Sequence, residues 1–552
     1  MRSPVVAGTV FEAFQRTADR FPENDFLQVL PETARYYGIE ARTFTYRQAA
    51  DEISGLARRY GRIGAAGAGL AGRRVGLMLE NRPAMFFHWL ALNALGASVV
   101  PLNPDWREAE LEYVAEHSEL ALAIVPAARV AEVTAATNRG GRTVLVDTES
   151  LTGLAAGSGA LSRAAAGGTP DETMECALLY TSGTTGRPKG CVLTNEYYLW
   201  AGTWYTQVGG LCSLTAGRER LITPLPMTHM NAMAFSTLAM ILTGGCIIAL
   251  DRFHPKTWWN SVATSGATIV HYLGVMPAML LGADPASEDV RTQVKFGFGA
   301  GVSARLHAEF ETRFGFPLLE AWAMTETGAG AVVIASREPR KVGTACFGRP
   351  SDRMSFRIVN EQGGDAGVGE HGELWVRSTV QRPGFGFFRE YLKDSRATSE
   401  AWEGGYFHTG DIVFADEDGD LHFVDRKKNV IRRSGENISA VEVEGVILQH
   451  PKVAGVGVAA VPDEVRGDEV MACIVPKCGA EDADALARDI ASFCLQRLSY
   501  FKAPGYVAFC ERLPLTPTEK IQRARLGELA RSLVGQKGTM DLRGMKKRNA
   551  GT

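Results

Sequence analysis

Residues 180–190 read Tyr-Thr-Ser-Gly-Thr-Thr-Gly-Arg-Pro-Lys-Gly. The stretch packs Gly183, Gly186 and Gly190 among the hydroxyls of Thr181, Ser182, Thr184 and Thr185, with Lys189 as a point charge. Glycine lets backbone approach a ligand and aim several N–H groups one way. Hydroxyls donate to phosphate oxygens, and an ammonium neutralises them. This is the chemistry of a polyphosphate cradle. It is not a Gly-Lys-Ser/Thr loop opening a helix, because Pro188 precedes Lys189 and Gly190 follows it.

The flanking segments must hold that loop still. Cys176–Tyr180 before it and Cys191–Thr194 after it are short apolar runs, so the loop joins two strands. Upstream, apolar spacing predicts helices over Thr9–Phe21, Ala49–Ile63 and Asn81–Leu95. Strands are predicted at Arg74–Leu79, Ser98–Leu102, Ala121–Val125 and Arg142–Val146. Strands alternating with helices at this spacing imply right-handed crossovers and a mostly parallel sheet. Leu221–Leu250 carries no Asp, Glu, Lys or Arg, but Pro224, Pro226 and Gly244-Gly245 interrupt it. It reads as a buried helix followed by a strand, not a membrane span. From about residue 352 the period becomes two, which predicts antiparallel hairpins and a barrel-like subdomain.

Five more stretches are candidates for chemistry. Ala321-Trp-Ala-Met-Thr-Glu326 puts a hydroxyl beside a carboxylate at a strand end, a pair able to hold Mg²⁺ on a phosphate. Gly297-Phe-Gly-Ala-Gly301 has the wrong glycine spacing for a dinucleotide fingerprint. Gly405-Tyr-Phe-His-Thr-Gly-Asp411 ends on a carboxylate suited to a ribose diol. Residues 425–437 hold five cations, and Pro514-Leu-Thr-Pro-Thr-Glu-Lys-Ile521 holds one Lys in a Pro/Thr-rich loop.

Taken in order, these motifs resemble those of the adenylate-forming superfamily: acyl-CoA synthetases, aryl-CoA ligases, peptide-synthetase adenylation domains and luciferases. The resemblance runs over about residues 9–530 and implies roles. Thr181, Ser182, Gly183, Thr184, Thr185 and Lys189 would hold phosphates. Gly299, Ala300 and Gly301 would lie against adenine, with Trp322 stacking on it in place of the usual Tyr. Thr325 would contact the α-phosphate, and Glu326, with Thr185, the Mg²⁺. Asp411 and Arg426 would bind the ribose. Lys428 would be the hinge of a rotating C-terminal domain, and Ser434 and Gly435 would line the pantetheine tunnel. Lys520 would bridge carboxylate and α-phosphate in the transition state. His229, His271, Tyr272, Gly274 and Ala323 would line the acyl pocket, His229 also gating it. Ala323, Ser434 and Glu519 depart from the family pattern, which has Gly at each.

The expected fold is therefore α/β: a large N-terminal domain (1–427) of doubly wound, mostly parallel sheets with a β-barrel-like subdomain, a small mobile α+β C-terminal domain (428–534), and a disordered tail (535–552). The expected activity is acid–CoA ligation with ATP, Mg²⁺ and coenzyme A. Other adenylate-forming chemistry (amino or aryl acid adenylation, luciferase-like oxidation) and a non-catalytic nucleotide-binding homologue are the alternatives. Residues Val424–Ser439 look most like carnitine-type and short- to medium-chain ligases. No acidic residue stands in 229–235, 271–275 or 299–301, which favours an uncharged aliphatic, alicyclic or aromatic acid over a quaternary ammonium one.

Composition agrees with this class. The 552 residues exceed one ordinary core, and a net charge of −3 gives no field for nucleic acid. The nine Cys contain no Cys-x-x-Cys, which points to reduced thiols in a cytoplasm rather than disulfides or zinc. The N-terminus lacks the apolar run of a signal peptide. Expected partners are the acid, ATP and coenzyme A, with no nucleic acid and no membrane; a homodimer is the assembly considered.

Overall fold

The computed structural model describes residues 8–65, 69–137, 143–146, 170–181, 187–282, 293–302, 304–360, 362–426, 431–438, 440–477, 482–514, 521 and 523–547. The chain divides into two compact units: residues 1–104, 115–179 and 190–424 form the first, and 105–114, 180–189 and 425–552 the second.

The first unit is built on three sheets. In the seven-stranded sheet, Arg74–Leu77 lies between Ser98–Pro101 and Leu122–Val125, all parallel, and Glu175–Thr181 and Lys189–Thr194 extend it towards an antiparallel edge at Glu390–Tyr391. In the eight-stranded sheet the strands Leu318–Trp322, Phe296–Ala300, Ile269–Leu273, Arg220–Thr223, Cys246–Ala249 and Asp25–Gln28 run parallel, with short antiparallel strands at both edges. Both are covered by apolar helices. Pro83–Ala94 is buried along nearly its whole length, as a helix filling the space beside parallel strands must be. Leu221–Leu250 becomes a strand, a π-helix at Asn231–Ser236 continuing into the helix Thr237–Thr243, and the strand Cys246–Ala249. Gly244, at φ +69, ends the helix in the left-handed conformation that glycine adopts without a Cβ penalty. Among the described residues no helix is long and apolar enough to cross a membrane. The expected hairpins form a five-stranded antiparallel sheet in which Gly372–Ser378 lies between Met354–Val359 and Phe407–Ala415.

The second unit centres on the hairpin Val453–Asp463 and Gly467–Pro476, flanked by the helices Ala440–Ile447, Ala483–Leu495 and Arg523–Leu533. The tail expectation is corrected here. Thr539–Asp541 adds a strand antiparallel to Tyr506–Phe509, and Leu542 is buried. Lys546 reaches the buried carboxylate of Glu469, whose other oxygen accepts from Arg433 Nε at 2.8 Å. Few apolar side chains are needed when the backbone pairs with an existing sheet edge and a buried carboxylate, already paired with Arg433, accepts a second cationic donor. Burial pulls the Lys546 ammonium down to about 7, with Glu469 opposing that shift.

Candidate active site

The loop expected to hold phosphates follows the strand that ends at Thr181 and precedes the one that begins at Lys189. Ser182, Gly183, Thr184 and Thr185 lie outside the described residues, as do Lys428 and Lys520. Arg426 closes the strand Leu421–Arg426. At the loop's exit, the Tyr113 hydroxyl donates to the Pro188 carbonyl at 3.0 Å.

The Gly-rich turn is tight because two backbones touch. A Cβ on Gly274 would fall 1.7 Å from the Gly301 carbonyl oxygen, and one on Gly299 would fall 2.3 Å from that of Tyr272. Gly301 has φ +79, a conformation favouring glycine. Glu320 fastens the turn: its carboxylate accepts from Gly301 N at 3.0 Å and Val302 N at 2.8 Å. Burial raises the Glu320 carboxyl above its ordinary range, and those two N–H groups oppose the rise. Ala300 and Gly301 stay exposed, facing outward from the strand end.

Trp322 sits at the end of the adjoining strand, paired with Val333. Its indole N–H donates to Asp411 Oδ2 at 2.9 Å, and both residues are buried. Phe347 lies near-parallel to the indole, centroids 6.1 Å apart. Asp411 lies within the strand Phe407–Ala415, beside an irregularity at Gly410 (φ +68) that Glu373 holds by accepting from Gly410 N at 3.0 Å. Beyond Trp322, the Thr325 carbonyl accepts from Tyr197 Oη at 2.9 Å. Glu326 is buried, and its Oε1 accepts from Tyr391 Oη at 3.0 Å. Two motifs far apart in sequence, at Trp322 and Asp411, thus share one hydrogen bond.

The acyl-pocket expectation needs a correction. His271 and Tyr272 are consecutive on one strand and point to opposite faces of the sheet. Tyr272 packs into the cluster around Trp258 and Leu318, with Oη donating to the Leu319 carbonyl. His271 is fully buried on the other face, stacked on Phe298 at 4.7 Å. Its Nε2 lies 3.0 Å from Tyr205 Oη, and its Nδ1 lies 2.6 Å from Asn231 Oδ1 and 2.9 Å from Ser236 Oγ. Burial lowers its pKa to about 3, so the ring is neutral. His271 therefore backs the helix start, and it and Tyr272 cannot line one face together. His229, Gly274 and Ala323 are half-buried, His229 at the start of the π-helical segment.

In the second unit, Ser434 and Gly435 are the central residues of a two-residue hairpin between Ile431–Arg433 and Glu436–Ile438. Both have positive φ, +49 and +87. A turn that demands positive φ at both positions explains why a pair of glycines suits it, and Ser434 occupies it under strain.

Sequence reading missed Glu320, Tyr391, Glu373 and the Asn231–His271 pair. Each acts through partners separated by many residues, and no local pattern marks them.

The crotonobetaine/carnitine–CoA ligase of Salmonella arizonae is 29% identical over 88% of this chain and 93% of its own length. The Escherichia coli O45:K1 counterpart is 29% identical over 82% and 88%. Among solved structures, the o-succinylbenzoate CoA synthetase of Bacillus subtilis superposes with a TM-score of 0.78 at 22% identity, covering 95% of this chain and 99% of that one. A malonyl-CoA ligase, in a ternary product complex with methylmalonyl-CoA and AMP bound, superposes with a TM-score of 0.71 at 26% identity, covering 92% and 100%. The family model described as AMP-binding enzyme matches residues 14–392, and the one for its C-terminal domain matches 442–520. The first alone spans more than half of the chain, which therefore belongs to the AMP-binding enzymes.

Proposed function

We propose that this chain is an ATP-dependent acid–CoA ligase. A carboxylate oxygen attacks the α-phosphorus of ATP, the α–β phosphoanhydride breaks, and pyrophosphate leaves, giving an acyl-adenylate. The thiol of coenzyme A then attacks the acyl carbonyl and AMP departs. Two easier steps replace one difficult condensation. The observation that carries the reading is the Trp322–Asp411 hydrogen bond, which joins the motif expected to stack on adenine to the one expected to hold the ribose.

In this reading the Ala300–Gly301 turn, fastened by Glu320, supplies one wall for the base and Trp322 another. Asp411 accepts from the ribose hydroxyls. Glu326 fits a divalent cation: Tyr391 holds Oε1, so a hard oxygen donor is presented in a fixed orientation. Mg²⁺ bound there would neutralise phosphate charge. Thr181, Ser182, Gly183, Thr184, Thr185 and Lys189 hold the phosphates, Lys520 serves adenylate formation, and rotation about Lys428 brings Ser434 and Gly435 to the thiol route. Residues 229–235 line the acyl pocket. The curated relatives are carnitine-type ligases by name; this stretch offers no carboxylate for a quaternary ammonium, so we assign an uncharged acyl group. We place the enzyme in a cytoplasm, with a homodimer as the assembly to check by light scattering.

Pyrophosphate release with a panel of carboxylic acids, with and without coenzyme A, tests the reading. Acid-dependent release without coenzyme A and thioester formation with it are expected. No acid-dependent release would refute it. Lys520→Ala is expected to abolish adenylate formation while sparing thioester formation from supplied acyl-AMP; equal loss of both would refute the role of Lys520.

A further inference from the structure

We infer that the acid activated here carries an uncharged oxygen substituent on its acyl part, a hydroxyl, oxo or amide group, held by the Thr228 hydroxyl and the Asn231 amide N–H₂. The inference rests on the proposed ligase reading, in which residues 229–235 line the acyl pocket.

Three observations carry it. First, Thr228 Oγ is buried and has no hydrogen-bond partner among the described residues. A buried hydroxyl left unpaired is costly, so a partner beyond the described residues is expected. Secondly, Asn231, one turn on, is half-buried, while residues 232–241 are fully buried. Thirdly, its amide orientation is dictated from behind. Ser236 Oγ donates to the Asn231 carbonyl at 3.2 Å, so it accepts from His271 Nδ1. His271 Nδ1–H then donates to Asn231 Oδ1 as well, and Tyr205 O–H donates to Nε2. The reverse polarity would leave Tyr205 O–H without an acceptor in a buried site. The chain of donors thus fixes Asn231 Oδ1 inward and leaves Nδ2 as the outward group, with no partner among the described residues. Thr228 sits in the turn that enters this helix, and Asn231 is the first residue of its π-helical part. A hydroxyl and an amide N–H₂, three residues apart, at the start of an otherwise apolar and π-helical segment, form a two-point contact for an oxygen. Residues 221–250 hold no Asp, Glu, Lys or Arg, so this segment offers a charged substituent no counter-charge, which favours an uncharged one.

The test compares kcat/KM for pyrophosphate release with matched acids, each hydrocarbon acid against its hydroxy, oxo and amide analogues on the same skeleton, in aliphatic, alicyclic and aromatic series. The wild-type chain is expected to prefer an oxygenated member by about 10–100-fold, the worth of one buried polar contact left unmade. Thr228→Val, which keeps the side-chain shape, and Asn231→Leu are each expected to cut that ratio at least tenfold. If Asn231→Leu fails to fold, Thr228→Val carries the test. Hydrocarbon acids used as well as oxygenated ones, or a ratio unchanged in Thr228→Val, would overturn this inference and leave the ligase reading intact. No release with any acid would overturn both.

Discussion

Replacing His271 by Gln should flatten the acid side of the stability profile. His271 is fully buried, and burial takes its pKa from 6.5 to about 3. The folded chain therefore resists protonation where the unfolded chain accepts it. Below pH 6.5 the unfolded state binds the extra proton, so stability falls as pH falls, at about 1.4 kcal/mol per unit, until the ring titrates in the folded state. Above pH 6.5 the contribution is complete. Between pH 6.5 and 4.5 this one group removes about 2.7 kcal/mol, roughly a hundredfold in the folding equilibrium. His88, also buried and held at about 3, adds a similar slope, but it is present in both proteins and cancels in the difference. The assay is urea unfolding of wild type and His271→Gln, followed by tryptophan fluorescence at pH 7 and pH 4.5. The variant should be less stable at pH 7 by about 1–3 kcal/mol, because Tyr205 and Asn231 lose a partner, yet it should lose less on acidification. Parallel losses in the two proteins would refute the reasoning.

Gly274→Ala would drive a methyl into the Gly301 carbonyl, so ATP KM should rise at least tenfold; an unchanged KM in steady-state kinetics would count against the turn as a nucleotide wall. Trp322→Phe keeps a ring but removes the donor to Asp411, a hydrogen bond to a charged group worth about 1.5–3 kcal/mol, so ATP affinity by calorimetry should fall by about tenfold or more. Ser434→Gly relieves a left-handed serine and should stabilise the second unit by about 1 kcal/mol, seen as a higher melting temperature; a lower one would refute the strain.

The alternation of strands and helices up to residue 350 was legible because parallel strands buried on both faces leave apolar runs that glycines and prolines punctuate. The motifs at 297–301, 321–326 and 405–411 were legible as motifs because each packs particular residue types into a short space. The contacts that hold those motifs were not. Glu320 clamps a turn nineteen residues away, Tyr391 orients Glu326, and His271 fixes an asparagine forty residues upstream. Nothing near these residues in sequence announces their partners. His271 and Tyr272 show a different failure. Both suit a pocket by type, but the two-residue period of a strand sends them to opposite faces. The tail misled by composition, since Lys and Gly suggest solvent, whereas backbone pairing and one buried ion pair suffice to dock it.

That docked tail determines where the protein can be cut or tagged. Thr539–Asp541 covers the edge of Tyr506–Phe509, and Lys546 donates to the buried Glu469 beside Arg433. Ending the chain near Gly538 would bare a row of unsatisfied amides beside Val507 and Phe509, an invitation to sticky intermolecular pairing. It would also leave the carboxylate facing Arg433 alone, so a shortened protein should be recovered as aggregate even with its nucleotide lobe untouched.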